Sequence, residues 1–584
     1  MPPMHAWYRI PLSHRQLCCC ALLVFAVASP PRAELRVDGI SDELARNVYS
    51  YVSLASEPCD AEPWLIRRRF RAIASEVRSA LEPFGYYDAV VETRLEQDES
   101  CWLATIDIDP GQPVLLRNVD VSLSAAADEN ANFIDILDST ALVAGSQLRH
   151  SAYEALKEAL QIRAAERGYI DASFLQNKIE VWPAERAADV TLNFESGPRY
   201  NFGEITQEQD FLDDSLISAY FDFETGMPFD NRLLTKAYSD LSVSGYFGRI
   251  ELLPDYELAD DGQIPVRVLL EPADRIEYTV GVGFSTDTGP RARAGYYNRR
   301  VNKQGNRFNT DISLSPVIQG IAAEYRKPLT DPRSEWLSYS SALTNEDTDT
   351  FNNDTARVGV RRTKKVRSNW VRTLSLDVSY DQFDVGLESS SSRLVLPGIA
   401  YDHKRADRDV FPTRGRRLTF ELRGTGQFLG SNTSFLQATT SLRLVRSISD
   451  ESRFLARATL GFTAKSEFFE LPPSVRFFAG GDESVRGFAY NTLGPKDELG
   501  NVVGGSHLLV ASVEYEHRLR GNFYGAVFLD AGNAFDGFDV DPAIGTGLGL
   551  KWQSPVGPLR FYLAHPVNKS DRSVRLHIRL GADL

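Results

Sequence analysis

The residue types that carry enzyme chemistry are sparse in this sequence and poorly spaced for it. Its eight histidines are scattered. There is no His-Glu-x-x-His helix, no cysteine pair spaced for zinc and no Gly-x-Ser-x-Gly elbow. The chain therefore reads as a non-enzyme with no catalytic residues, no metal ligands and no cofactor. Gly545-Thr546-Gly547-Leu548-Gly549 has the glycine density of a nucleotide loop. The residues after it, Leu550-Lys551-Trp552, read as strand where a phosphate-binding loop needs a helix N-terminus. His577 lies between Arg575 and Arg579 on the polar side of an alternating segment and reads as a solvated residue.

Cysteine chemistry depends on the compartment. A loose basic region (Arg9, His14, Arg15) precedes an apolar run from Leu17 to Ala28, with small-residue exits at Ala26-Val27-Ala28 and Ala33. That order predicts a secretory signal peptide over residues 1–33, cut after Ala28 or Ala33. Cys18, Cys19 and Cys20 would leave with it, and Cys59 and Cys101 would remain in an oxidising compartment. One disulfide and two reduced, buried thiols are both open for that pair. The formal net charge of −15 disfavours nucleic acid as a partner. No apolar run of about 18 residues follows the signal, so membrane integration would require a β-barrel, the other architecture that satisfies its backbone hydrogen bonds in lipid.

From residue 34 to 272 one unit, strand-helix-helix-strand-strand, recurs. Ile66, Phe70, Ile73, Val77, Leu81 and Phe84 step by three or four along one helix face, and Gly85-Tyr86 stops it. Gly168-Tyr169 ends a helix with Tyr153, Leu156 and Leu160, and Gly245-Tyr246 ends one with Leu234, Tyr238 and Leu241. Turns at Asp109-Pro110-Gly111, Ser196-Gly197-Pro198 and Glu271-Pro272 close the copies. Three α+β modules are expected, at 34–111, 112–197 and 198–272.

After Pro272 the helical period gives way to a two-residue alternation. Ile276, Tyr278, Val280, Val282 and Phe284 alternate with Glu277, Thr279, Gly281, Gly283 and Ser285, and the pattern returns at Leu418-Phe420-Leu422, from Phe454 to Phe462, and from Val574 to Leu580. Alternation alone also fits a soluble two-sheet sandwich. Export and the number of segments favour an antiparallel transmembrane barrel over 273–584, lipid outside and polar lumen inside. At roughly ten residues per tilted strand plus turns, that stretch gives about 16 strands.

Three further stretches carry a resemblance. Gly480-Gly481-Asp482-Glu483-Ser484-Val485-Arg486-Gly487-Phe488 looks like the Val-Arg-Gly-Phe/Tyr motif of the superfamily that joins POTRA modules to an outer-membrane barrel, the bacterial surface antigen family. The stretches from Phe528 to Phe535 and from Asp409 to Gly415 match as well. Within that superfamily three modules, the opening from Gly281 to Arg291 and the late Ser554-Pro555-Val556-Gly557-Pro558 are most similar to the TamA type of translocation and assembly module subunit. Leu584 departs from the aromatic end common in such barrels.

The resemblance implies that the loop bearing Val485, Arg486, Gly487 and Phe488 folds into the lumen and that Arg486 pairs with wall carboxylates. Strand parity supplies candidates: outward Val527 and Leu529 put Phe528 and Asp530 inside, and outward Val513 and Tyr515 put Glu514 and Glu516 inside. A guanidinium suits the task because its planar fork holds two acceptors at once. In a water-filled lumen such a pair is worth about 1–3 kcal/mol. The resemblance further implies a seam between first and last strands that opens sideways. Gly281, Gly283 and Gly581 there are either weak points in the ladder or curvature glycines.

What the resemblance implies about function is insertion or translocation of client proteins, such as autotransporters or other barrels, at the bacterial outer membrane. The POTRA arm would lie in the periplasm, and the partners would be unfolded clients, outer-membrane lipid and a TamB-like inner-membrane-anchored subunit. A passive diffusion channel or porin, or a two-partner secretion transporter, is the alternative.

Overall fold

A computed structural model describes residues 32–97, 101–124, 131–367, 369–408, 411–537, 540–554, 557–568 and 574–580. The segment expected to be a signal peptide, apart from its last residues, lies outside the described residues, as do Gly581 and Leu584.

Each repeat folds into a three-stranded sheet under helices. The first comprises β1 (Glu34–Asp38), α1 (Asp42–Tyr51), α2 (Pro63–Leu81), β2 (Val90–Gln97) and β3 (Trp102–Asp109). β3 lies central, parallel to β1 and antiparallel to β2. The helical period has a direct structural consequence: Ile66, Ile73, Val77 and Leu81 are fully buried against Ala104, Ile106 and Ile108 of β3. Burying each large aliphatic contributes about 1.5–3 kcal/mol. The two thiols of this module form a disulfide, Cys59–Cys101, tying the approach to α2 to the start of β3.

The second module, β4 (Leu115–Leu123), α3 (Ala131–Asp138), α4 (His150–Arg167), β5 (Ser173–Trp182) and β6 (Ala187–Glu195), repeats the strand order. So does the third: β7 (Asn201–Glu208), α5 (Asp214–Ser218), α6 (Asn231–Ser244), β8 (Phe247–Pro254) and β9 (Gln263–Pro272). The glycine stops do what their position predicts: Gly85, Gly168 and Gly245 have φ of +83°, +83° and +75°, which other residues adopt only with strain. On α6, Leu234 and Leu241 are buried, whereas Tyr238 stands exposed.

Residues 276–580 form one 16-stranded antiparallel sheet in sequence order, from β10 (Ile276–Ser285) and β11 (Gly289–Asn298) to β25 (Arg575–Leu580). β10 and β25 come to lie beside each other, so the sheet rolls into a nearly closed barrel and the sandwich alternative is excluded. Its outer face is apolar: Tyr278, Val280 and Val282 are 73%, 86% and 78% exposed, which in a protein of this shape means exposed to lipid. Among the described residues no helix is long and apolar enough to cross a membrane.

β9 ends three residues before β10 begins, so the modules hang from the barrel end at which β10 starts. The third module also docks on the turns at that end. Asp213 N–H donates to Lys303 O at 2.8 Å, Tyr246 Oη to Gly305 O at 2.5 Å, and Arg333 to Asp222 and Asp240 at 2.8 and 3.4 Å. The Arg307 guanidinium lies 4.2 Å from the Tyr246 ring centroid.

Candidate functional site

The longest connection in the barrel, residues 466–506 between β20 (Ser452–Lys465) and β21 (His507–Arg520), leaves the end opposite the modules. It is not an external excursion: Val485, Arg486 and Phe488 are 0%, 4% and 7% exposed, so the loop is folded into the lumen. Gly487, at φ +97°, makes the turn that lets Arg486 face the wall.

The wall opposite is β21 and β22 (Phe523–Phe535), paired so that Glu514 faces Phe528 and Ser512 faces Asp530. Parity sorts both strands as expected: Val513, Tyr515, Val527 and Leu529 face out, while Glu514, Phe528 and Asp530 are buried inside. Arg486 donates from Nε and one terminal nitrogen to Asp530 at 2.7 and 2.8 Å, from its backbone N–H to Asp530 at 3.0 Å, and to Glu514 at 2.6 Å and Ser512 Oγ at 3.2 Å. Its guanidinium carbon lies 3.5 Å from the Phe528 ring centroid and 4.5 Å from that of Tyr562. Tyr562 in turn donates to the second oxygen of Glu514 at 2.7 Å.

Two features depart from the sequence expectation. First, the pair is buried rather than exposed to an open lumen, since Asp530 is fully buried and Arg486 and Glu514 nearly so. Removing one partner of a buried charge pair costs about 3–5 kcal/mol, because the other is left uncompensated. Second, His577 is not solvated; it is 3% exposed, and its Nε2 accepts the Gly487 N–H at 2.9 Å while Nδ1 meets Asp482.

Glu516 is inside, as parity requires, but serves a different cluster. It binds Arg453 at 2.6 Å and Lys551 at 3.1 Å, and the Arg453 guanidinium sits 3.6 Å from the Phe411 ring centroid. Phe411 belongs to the turn after β17 (Glu388–Ala406), at the module end of the barrel. Pro412 O accepts from Arg453 at 2.9 Å. Thus the third matching stretch forms a base beneath the lock; Asp409 and Val410 lie outside the described residues.

The glycines of β23 (Ala543–Ser554) are part of the lock's fit. A Cβ on Gly545 would stand 1.9 Å from Arg486 O, and one on Gly547 2.8 Å from the Phe528 ring. The nucleotide-loop look of this stretch therefore reflects a smooth wall against which loop and rings pack. Ser512, Tyr562, Asp482 and His577 were missed as site residues; alternation marks three of them as lumen-facing, yet nothing local tells which depth the loop reaches.

At the seam, β10 and β25 share no ladder among the described residues. A bond across the seam runs from Ile578 N–H of β25 to Thr286 Oγ1, just past the end of β10, at 3.3 Å. Gly281 and Gly283 face Arg293 and Arg291 of β11, and a Cβ on Gly283 would stand 2.9 Å from Arg291 Nε. Gly283 makes room for the Arg291 side chain in the lumen. Asp287, Asp482 and His577 bring three metal-type ligand atoms within 4.8 Å of one another. All three already satisfy one another or the loop backbone by hydrogen bonds without an ion.

A nearly closed 16-stranded barrel with an inward-folded loop and an arm of POTRA modules defines an outer-membrane protein with a periplasmic arm. Residues 300–583 match the Omp85 superfamily domain, and residues 34–110 match the model described as POTRA domain TamA domain 1. The barrel thus carries an Omp85 superfamily domain, and the first module is TamA-like. It is 22% identical over 376 residues to the outer membrane protein assembly factor BamA of Nitratidesulfovibrio vulgaris, covering 61% of this chain and 47% of that one. With BamA of Neisseria meningitidis serogroup B the identity is 21%, covering 89% and 74%. A SAM50-like protein of Schizosaccharomyces pombe is 27% identical over 35% of this chain and 47% of its own. The chain thus spans about half the length of two of these relatives. The crystal structure of BamA from Haemophilus ducreyi lacking POTRA domains 1–3 superposes with a TM-score of 0.69 at 18% identity, covering 80% of this chain and 99% of that one, which supports the fold.

Proposed function

We propose that this protein is an outer-membrane insertase or translocase that assists assembly of client proteins, autotransporters or other β-barrels, with no enzymatic chemistry and no cofactor. A TamB-like inner-membrane-anchored subunit is the partner suggested by the TamA-like first module. The observation that carries the reading is the seam: two adjacent strand edges, β10 and β25, that share no ladder among the described residues and so offer backbone donors and acceptors to an incoming strand. The assembly-factor names of the relatives point the same way. A porin needs an open lumen, and the packed loop around Arg486 argues against one.

The test is a reversible staple. Thr286→Cys with Ile578→Cys places thiols where the seam is already bonded. Oxidised, this variant should stop client assembly in cells depleted of the wild-type protein, and reductant should restore it. Full client assembly with the staple closed refutes the reading.

A further inference from the structure

We propose that Asp482 is a latch that holds the barrel seam shut by way of the lumen loop, so that opening the seam and releasing the loop are one event. The proposal deepens the reading above and rests on its premise that the seam opens.

The two strand edges lie side by side without a ladder among the described residues, and both are bonded to the same loop residue. From the end of β10, Ser285 Oγ donates to one Asp482 carboxylate oxygen at 3.0 Å and Thr286 Oγ1 to the other at 3.4 Å, while Asp482 N–H donates to the Asp287 carboxylate at 2.7 Å. From β25, His577 Nδ1 bonds the Asp482 carboxylate. Because His577 Nε2 accepts the Gly487 N–H, its ring proton sits on Nδ1 and is donated to Asp482. Asp482, Ser285 and His577 are all buried, so water does not compete for these bonds.

The loop is also anchored on the wall away from the seam. Arg457 of β20 donates to Asp482 O at 3.0 Å and Ser484 O at 2.8 Å, and Arg486 is held by β21 and β22. Asp482 therefore grips both edges from a loop fixed to β20, β21 and β22. Separating β10 from β25 requires it to release at least one of them. Releasing β25 also removes the acceptor of Gly487 N–H, which loosens the turn that presents Arg486.

The test is hydrogen exchange on the full-length protein in outer-membrane-lipid nanodiscs. In Asp482→Ala, exchange in 276–289, 575–580 and 480–488 should rise together by roughly ten-fold or more, the factor set by losing a charge-assisted hydrogen bond, with β14–β19 (residues 335–447) unchanged. Asp482→Asn, which keeps one acceptor oxygen for His577 and turns the other into an amide that donates to the Ser285 hydroxyl, should show a smaller rise. Faster exchange confined to 480–488, with both strand edges at wild-type rates, overturns the latch. If Asp482→Ala is not recovered folded, His577→Ala takes its place, and an unchanged 480–488 segment there is equally fatal. Client assembly measured with the staple closed separates the two readings. Loosened edges with assembly that the closed 286–578 staple does not stop keep the latch and sink the insertase, whereas unmoved edges with staple-blocked assembly do the reverse.

Discussion

Arg486 holds Asp530 through two side-chain hydrogen bonds of 2.7 and 2.8 Å and a backbone one of 3.0 Å, all within a region closed to solvent. Truncating the arginine leaves buried Asp530 with Arg457 at 3.5 Å and buried Glu514 with the Tyr562 hydroxyl, and should cost about 3–5 kcal/mol of loop docking. Arg486→Ala is expected to expose the 480–490 segment to protease added outside the cells and to impair client assembly. Arg486→Lys, a point charge without the fork, should recover only part of both. A docked, protease-resistant loop in the alanine variant would refute the lock.

Gly545 faces the same arginine from behind. Because the obstacle to a Cβ there is the Arg486 carbonyl, a backbone atom at 1.9 Å, the loop has to shift bodily. Gly545→Ala should therefore mimic loss of the lock although it removes no charge, with a penalty of about 1–3 kcal/mol or more. Protease access to the loop, compared between Gly545→Ala and Arg486→Ala, is the measurement.

Much of this was legible in the sequence because strands and helices print their faces as periods. Parity placed Glu514, Phe528 and Asp530 in the lumen, and helix spacing marked Ile66, Ile73, Val77 and Leu81 as core. Depth is another matter: Glu514 and Glu516 lie on the same face about 7 Å apart along the strand, so the period cannot say which one meets Arg486. His577 was misread for a related reason. Its neighbours Arg575 and Arg579 suggest water, whereas its actual contacts, Asp482 and Gly487, come from a loop 90 or more residues earlier in the chain. The Cys59–Cys101 bond was likewise undetermined by spacing, being fixed by the tertiary approach of α2 to β3.

That disulfide closes a loop with a sequence separation of 42 and should stabilise the first module by about 2–4 kcal/mol, mainly by restricting its unfolded chain. Cys59→Ser with Cys101→Ser should sensitise residues 34–111 to proteolysis at elevated temperature while leaving the barrel resistant. Equal protease sensitivity of the two proteins would show that the buried set around Ile66 and Ile106 suffices alone.

The docking of the third module on the barrel should depend on acid and salt. Arg333, in the turn between β13 (Ile318–Pro328) and β14 (Glu335–Asp347), binds Asp222 and Asp240 of the module and Asp331 of its own turn. Asp222 is held below the ordinary carboxylate range by its hydrogen bond to Lys236 and then by Arg333. A carboxylate with a depressed folded-state pKa contributes stability that is present above its unfolded value and lost as pH falls through the folded one. Docking should thus be unchanged from pH 8 to 5 and weaken only below about pH 4. Because these groups are partly exposed, high salt should weaken it too. Arg333→Ala should loosen the arm at neutral pH and remove most of the acid response. The distance distribution between spin labels on α6 and on the barrel turns, recorded across pH, decides it. An arm that loosens between pH 7 and 5, or an Arg333→Ala protein with the wild-type distribution, contradicts the assignment.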